Sequence, residues 1–472
     1  MDEPLTRREL AGRLAAGGAA LALPGWLLAG EAGAARLSPA LRELRRRVKG
    51  PLLVPRDSAG LVFNARYAGV RPLAVVQAAG AADVQACVRW AARRGVPIRA
   101  RSGGHSYAGY STVAGGLVVD LRRLDAVSLS GGTVTAGAGT HLVDLYAALA
   151  RRGATVPGGT CPTVALGGLA LGGGMGMAGR RFGLTCDNVT AMEIVTADGR
   201  VRWIDHDSDP DLFWACRGGG GGNFGIVTRL RLRARRASSA SWFRVTWPRS
   251  QAEAALAAWQ AFAPEAPPEL TSIMSLARGS VAAQGQYFGS ASALRRLVAP
   301  LLRVDGASLS VGTSGYLALM QRWAGCAGES LGHCATWDPQ AFAAGSDYVA
   351  TPLGPAGRRA AVAAASSGGG TLLLDAYGGA INRVPPGATA FVHRDQLFCI
   401  QYYSGSADRA WVAAARRAMR PYTSGQSYQN YIDPDQANWR TAYYGANWSR
   451  LQAVKAHYDP DGLFRFPQAI TP

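Results

Sequence analysis

Lysine is almost missing from this chain: of its 50 basic residues only Lys49 and Lys455 are lysine, and all the others are arginine. So one-sided a choice follows codon usage rather than selection for phosphate contacts. The arginines are scattered and fall largely on polar helix faces, as at Arg93, Arg94, Arg151, Arg152, Arg416 and Arg417. No compact basic and aromatic module accompanies them, so the formal charge of +19 describes a generally basic surface and excludes a nucleic-acid reader. Histidine is also scarce, at six residues. None stands in an HExxH spacing and there is no CxxC pair, which argues against a structural or catalytic metal. After the first 35 residues no apolar run is long enough to span a bilayer, excluding a polytopic membrane protein. No self-similarity at 20–50 residues is present, excluding solenoids and propellers.

What is present fits a large folded enzyme. The 472 residues, 48% hydrophobic and 17% charged, exceed one ordinary core and suit two domains. Sixty glycines cluster instead of recurring every third residue, which points to loops where backbone approaches a ligand. Residues 1–35 read as a twin-arginine export segment. Arg7 and Arg8 precede a weakly apolar Ala/Leu/Gly stretch, and Ala32-Gly33-Ala34 offers a cleavage site. That route carries folded proteins, so a cofactor can be loaded before export, and it predicts a secreted or periplasmic location and the twin-arginine machinery as a partner. Among seven cysteines, Cys326 and Cys334 lie eight apart and could close a small disulfide loop after export.

From residue 50 the pattern alternates strands and helices: strands at 74–77, 98–101, 116–121 and 133–136, and helices at 81–94 and 141–151. This βαβ reading predicts an α/β arrangement over residues 36–240, closed by a strand at 226–233. Residues 241–419 read as an α+β substrate domain. Strands at 241–246, 285–289, 371–374 and 397–403 would form an antiparallel sheet, with helices at 251–262, 291–302 and 407–419 on one face. Residues 420–472, with a helix at 448–457, are expected to return to the first domain. The overall class is α+β.

The chemistry-bearing segments are glycine-rich. Arg101-Ser102-Gly103-Gly104-His105-Ser106 follows a strand and sets one histidine among exposed amides that can nest an anion. It is neither a P-loop nor a GxGxxG turn. A longer belt runs through Pro157-Gly158-Gly159-Thr160-Cys161-Pro162-Thr163-Val164, then Gly167, Gly168, Gly172, Gly173, Met175 and Gly176, to Asp187-Asn188-Val189. Each glycine costs roughly 0.5–1 kcal/mol inside an ordinary element, so the belt is expected to wrap an extended, polyanionic cofactor rather than to serve packing. A third cluster ends at Gly225, before Ile226 and Val227. In the second region Asp375 sits within an apolar strand, where an unpaired carboxylate would be strongly unfavourable, so it should have a partner or a task.

The His105 loop, the Cys161 belt with its Asp187-Asn188-Val189 exit, Tyr428-Gln429-Asn430-Tyr431, Tyr458-Asp459-Pro460 and Phe466-Pro467-Gln468 together resemble the berberine-bridge-enzyme-like FAD-linked oxidases. These have the vanillyl-alcohol-oxidase, or PCMH-type, flavoprotein fold. The resemblance covers residues 50–472. It implies FAD held covalently through His105 and Cys161, and a cofactor-binding set of Arg101, Ser102, Gly103, Gly104, Ser106, Gly159, Thr160, Val164, Gly167, Gly168, Gly172, Gly173, Gly176, Asn188, Gly225, Ile226, Val227 and Asn430. Cys186 is assigned a structural place. Val164 matches a position that resembles an oxygen gate, and a small residue there implies an oxidase. Tyr431 matches the catalytic tyrosine of sugar-oxidising relatives such as glucooligosaccharide oxidase, and Asp375 the acid that assists it. A phenol with an ordinary pKa of about 10 needs such activation to act as a base. Gln401, Tyr377, Tyr428 and Met175 are the implied substrate contacts. Met175 replaces a tyrosine often found in plant members, and no carboxylate stands near Asn382, where amine-cyclising members carry a glutamate base. Both departures weigh against an alkaloid substrate.

Three functions are therefore compared. The first is an exported oxidase of a carbohydrate or other secondary alcohol, giving lactone or ketone and H2O2. The second is a tailoring oxidase of an aromatic natural product, resembling aclacinomycin oxidoreductase. The third is a basic, polyanion-binding protein on a vestigial flavin fold.

Overall fold

A computed structural model of the chain describes residues 37–472; the twin-arginine segment lies outside the described residues. The first layer is a small sheet of Leu52–Leu53, Ala74–Gln77, Leu117–Asp120 and Ile98–Arg101 in that order, its last three strands parallel. Helix Ala81–Arg94 makes the crossover between two of them. It starts at Gly80 and ends at Gly95, whose φ of 61° is the left-handed stop favoured by glycine. Asp83 in its first turn accepts from the amides of Lys49, Gly50 and Ala79 at 2.8, 2.8 and 2.9 Å. The face bearing Val84, Cys87, Val88 and Ala91 is buried in the core.

The parallel pattern stops there. The next sheet is antiparallel, in the order Val127–Ser130, Thr133–Gly137, Ile226–Arg233, Val189–Val195, Val201–Asp205. The alternating burial of Ile226–Arg233 shows why: arginines face solvent and leucines face the core, as in a sheet covered on one side.

A seven-stranded antiparallel sheet follows, ordered Ser308–Gly315, Ser239–Trp247, Ser280–Tyr287, Leu270–Ala277, Thr371–Ala376, Phe398–Ser404, Ala343–Val349. Its outer face carries Leu372, Leu374, Phe398, Ile400 and Tyr402 against helices Ala252–Phe262, Pro355–Ser366 and Arg409–Met419. The opposite face, with Leu373, Asp375 and Gln401, lines cavities against the first two sheets. Three strands here carry no legible sequence signal. Ser308–Gly315 and Ala343–Val349 are built from small residues with little β preference, and Leu270–Ala277 lacks alternation. The strand read at 285–289 is the end of Ser280–Tyr287, and the helix read at 291–302 breaks after Leu297 into a 3-10 turn around Pro300.

The tail lies on the first domain: Ile470 donates to Asn223 Oδ1 (2.8 Å), and the buried Lys455 ammonium donates to Asn223 O and Phe464 O (2.6 and 2.7 Å). Two buried arginines join the halves. Arg180 donates to the carbonyls of Ala263, Ala266 and Tyr377. Arg394 holds Asp187 with two bonds of 2.9 and 2.7 Å. Removing one partner of a buried pair leaves an uncompensated charge. Asp187→Ala is therefore expected to lower stability by about 3–5 kcal/mol, read as a shifted urea midpoint with unchanged slope.

Candidate active site

His105 is positioned by what precedes it. The Arg101 guanidinium is buried and donates to Leu61 O (3.0 Å), Ser102 O (3.0 Å) and Asp120 Oδ1 (3.2 Å), which locks the end of strand Ile98–Arg101. Gly104 then turns with φ +72° directly over the Leu61 carbonyl, where a Cβ would collide. The His105 ring stacks on Phe63 (centroids 4.2 Å apart) and meets the edge of Trp337 at 5.5 Å. Its Nε2 lies 3.0 Å from Thr163 Oγ1. Burial, with Arg101 and His141 nearby, holds the imidazole neutral, its pKa pushed down to about 3. Cys161 is half-buried and its thiol is free.

These two residues stand at the junction of two cavities. A groove of about 250 Å³ runs between the glycine segments, and a cavity of about 140 Å³ lies toward the seven-stranded sheet; His105 and Cys161 line both. The groove takes its walls from Ser102, Gly103, Gly104 and Ser106 on one loop, and from Gly159, Thr160, Val164, Gly168, Met175 and Gly176 on the belt. Gly225 and Val227 contribute from the third cluster, and Asn430 and Tyr431 from the tail. Asp375 and Tyr428 complete the predicted set that reaches it.

Tyr428 is buried, and its hydroxyl accepts from the amides of Gly174 and Met175 (2.8 and 3.3 Å) and from Asn430 Nδ2 (3.0 Å). Burial raises its pKa. Tyr431 stacks face to face on Tyr107 at 5.3 Å, with planes 10° apart, and meets the Tyr428 edge at 5.0 Å. Gln401 lines the smaller cavity and donates through Nε2 to the Tyr107 hydroxyl at 2.7 Å.

Other predicted contacts lie behind the wall. Tyr377 does not reach either cavity; it is fully buried and bonds the Tyr348 hydroxyl at 2.9 Å. Asn188 is tied to Phe182 O, Leu184 O and Arg235, and Arg101 to Asp120. Gly167, Gly172, Gly173 and Ile226 also do not line the groove, although Gly172 leaves the space that the Asn430 amide fills. The reading of the belt as free of packing purpose is thereby corrected. A side chain at Gly103, Gly172 or Gly176 would strike protein atoms, whereas at Gly168 it would meet nothing. Cys186 is fully buried and Cys326–Cys334 is a disulfide. Sequence reading missed Tyr107, two residues past His105; of the third glycine cluster it placed only Gly225 in the site, whereas Gly220, Gly221 and Gly222 also line the groove, Gly221 facing Gly168. It also missed Arg99 on the strand leading to the His105 loop. Among the described residues no cluster of three metal-ligating groups occurs and no helix is long and apolar enough to cross a membrane.

The groove suits a dinucleotide. Gly168 and Gly221 leave open backbone along it. Arg99, half-buried at its rim, donates only to Ile98 O, and its Nε is buried with no bond, so a cation stands ready for a diphosphate. Residues 72–205 match the FAD binding domain family and residues 427–471 the family described as berberine and berberine like. The FAD-linked oxidoreductase YvdP of Bacillus subtilis is 35% identical over 427 residues, covering 86% of this chain and 94% of that one.

The chain belongs to the berberine-bridge-enzyme-like family of FAD-linked oxidoreductases. Chitooligosaccharide oxidase of Gibberella zeae is 32% identical across 88% of this chain and 90% of its own. The solved structure of Physcomitrella patens BBE-like 1 superposes with a TM-score of 0.87 at 32% identity, covering 92% of this chain and 99% of that one. The fold is accordingly the two-domain PCMH-type flavoprotein fold, the cofactor FAD, and the protein an oxidoreductase rather than a binding module.

Behind Tyr428, His393 is fully buried; Nδ1 lies 2.6 Å from Gln426 Oε1, and burial lowers its pKa to about 4. The unfolded chain binds this proton near pH 6.5 and the native state only near 4, so stability falls as pH drops through that window. His393→Gln should flatten the fall in melting temperature between pH 6.5 and 4 relative to wild type.

Proposed function

We propose that this flavoprotein is an exported oxidase of a carbohydrate or other secondary alcohol, with FAD bonded to His105 and Cys161. The observation that carries this reading is a groove lined by His105 and Cys161 together with Tyr431 and Asp375. Thr163 engages His105 Nε2, which leaves Nδ1 of a neutral ring as the atom for a bond, and the free Cys161 thiol offers the second. FAD bound in the groove supplies a two-electron acceptor beside the reacting carbon.

The protein's own residues do the rest. Tyr431 takes the substrate hydroxyl proton, and Asp375, on the inward face of strand Thr371–Ala376, supports the loss of the phenolic proton. Tyr107 fixes the Tyr431 ring by stacking, and Gln401 fixes Tyr107 through its hydroxyl. Val164, lining the groove beside Cys161, is small enough to admit O2. The overall balance is one secondary alcohol and one O2 giving one ketone or lactone and one H2O2. A second reading, oxidation of an aromatic natural product, draws on the aromatic walls of the smaller cavity, Phe63, Tyr107, Phe342 and Tyr403. The likeness to the chitooligosaccharide oxidase of Gibberella zeae and the twin-arginine segment favour the first.

Under argon, bleaching of the visible flavin bands by oligosaccharides, and not by glycosylated aromatics, is the expected result; the reverse selects the second reading. Tyr431→Phe should slow that bleaching by about 10²–10⁴-fold, followed by stopped flow, with flavin content unchanged. A variant that bleaches at the wild-type rate removes Tyr431 as the base.

A further inference from the structure

Between helix Tyr316–Ala324 and strand Ala343–Val349 the chain leaves the substrate domain and crosses over the His105 loop. Its first part is closed by the Cys326–Cys334 disulfide, whose sulfurs are buried against Val143 of the first domain. Gln321 spans this loop, donating to Glu329 O at 2.9 Å and accepting from the Cys326 amide at 2.9 Å through its own carbonyl.

The second part is pinned by Asn64, fully buried. Its Nδ2 donates to Phe342 O (3.1 Å) and Tyr107 O (2.9 Å), and its Oδ1 accepts from Phe342 N (3.3 Å). Gln340 adds two backbone bonds of 3.0 Å, to Phe63 O and from Ala65 N. Between the pins, Trp337 packs on His105 and Phe63, with the Arg101 guanidinium 5.2 Å from its ring centre.

This strap walls the smaller cavity. Cys334, Thr336, Asp338 and Phe342 line it opposite Gln401. Gln401 is 2% exposed, and its Oε1 is buried with no bond from the protein, an acceptor waiting for a donor. Phe63, Tyr107 and Tyr403 supply flat faces. The cavity, about 140 Å³, is the smaller of the two and joins the groove at His105 and Cys161. Thr336 and Asp338 are exposed and stand at its mouth.

We propose that the disulfide-pinned strap, residues 326–342, is the specificity-determining wall of the substrate pocket. It receives the terminal neutral ring of the substrate, whose hydroxyl donates to Gln401 Oε1, and meets the next unit of the chain at Thr336 and Asp338. The assignment of ring and next unit rests on the carbohydrate reading above; the strap as wall does not.

The experiment uses purified flavoprotein with glucose, cellobiose and diacetylchitobiose as probes. Asp338→Ala, an exposed change, should raise the KM for a disaccharide about tenfold while moving that for glucose less than twofold. Equal shifts for both, or none, overturn the proposal. Cys326→Ser with Cys334→Ser should raise KM for the disaccharide more than it lowers kcat. It should also let sulfite, a small anion that bleaches accessible flavin, react several-fold faster. If no sugar bleaches the wild type, the carbohydrate reading fails, and the sulfite rate alone decides the wall: an unchanged rate overturns it. Should the double variant not fold, wild-type protein reduced with dithiothreitol, with its thiols counted, gives the same sulfite reading.

Discussion

Two buried arginines tie the glycine belt to the seven-stranded sheet and the segments beside it. Arg394 grips Asp187 at the exit of the glycine belt, and Arg180 reaches from the belt to the carbonyls of Ala263, Ala266 and Tyr377. Both guanidiniums are almost fully buried, so neither can exchange its protein acceptors for water without a large desolvation cost. The inner face of the seven-stranded sheet is therefore kept at a set distance from the His105 and Cys161 segments. Asp375 and Gln401 on that face line the cavities.

The same sheet resolves a conflict between stability and chemistry by strand alternation. Along Thr371–Ala376, Leu372 and Leu374 enter the helix-covered core, while Leu373 and Asp375 face the cavities. Along Phe398–Ser404, Ile400 and Tyr402 go outward to the helices and Gln401 inward. A one-residue slip would exchange the two sets. Antiparallel pairing on both sides of Thr371–Ala376, with Asp375 opposite Ile273 and Cys399, forbids it.

The glycines divide by what surrounds them. Some let two backbones touch: Gly176 lies against Gly158, and Gly172 against the Asn430 side chain. Others, at Gly168 and Gly221, present bare backbone to the groove. Composition cannot separate these groups, because both need the same missing side chain, one for protein and one for ligand.

Much was legible before the fold was known. Helix 81–94 with its Gly95 stop, strands 74–77 and 98–101, and the ordered motifs around His105, Cys161 and Tyr431 are local, and local pattern reports local structure. The Cys326–Cys334 pair was readable as a possibility from its spacing. The strands at 308–315 and 343–349 were not, since their small residues become strands only through neighbours on either side, nor was 270–277, which lacks alternation. Nor could sequence place Tyr377 behind the wall and Tyr107 within it. Both are tyrosines beside glycine-rich motifs, and which one meets a cavity depends on contacts such as Tyr348 with Tyr377 and Gln401 with Tyr107, drawn from residues 29 and 294 positions away. The cofactor class and its attachment candidates were thus written in contiguous motifs. The two cavities were decided by tertiary structure, because their walls come from segments that only packing brings together.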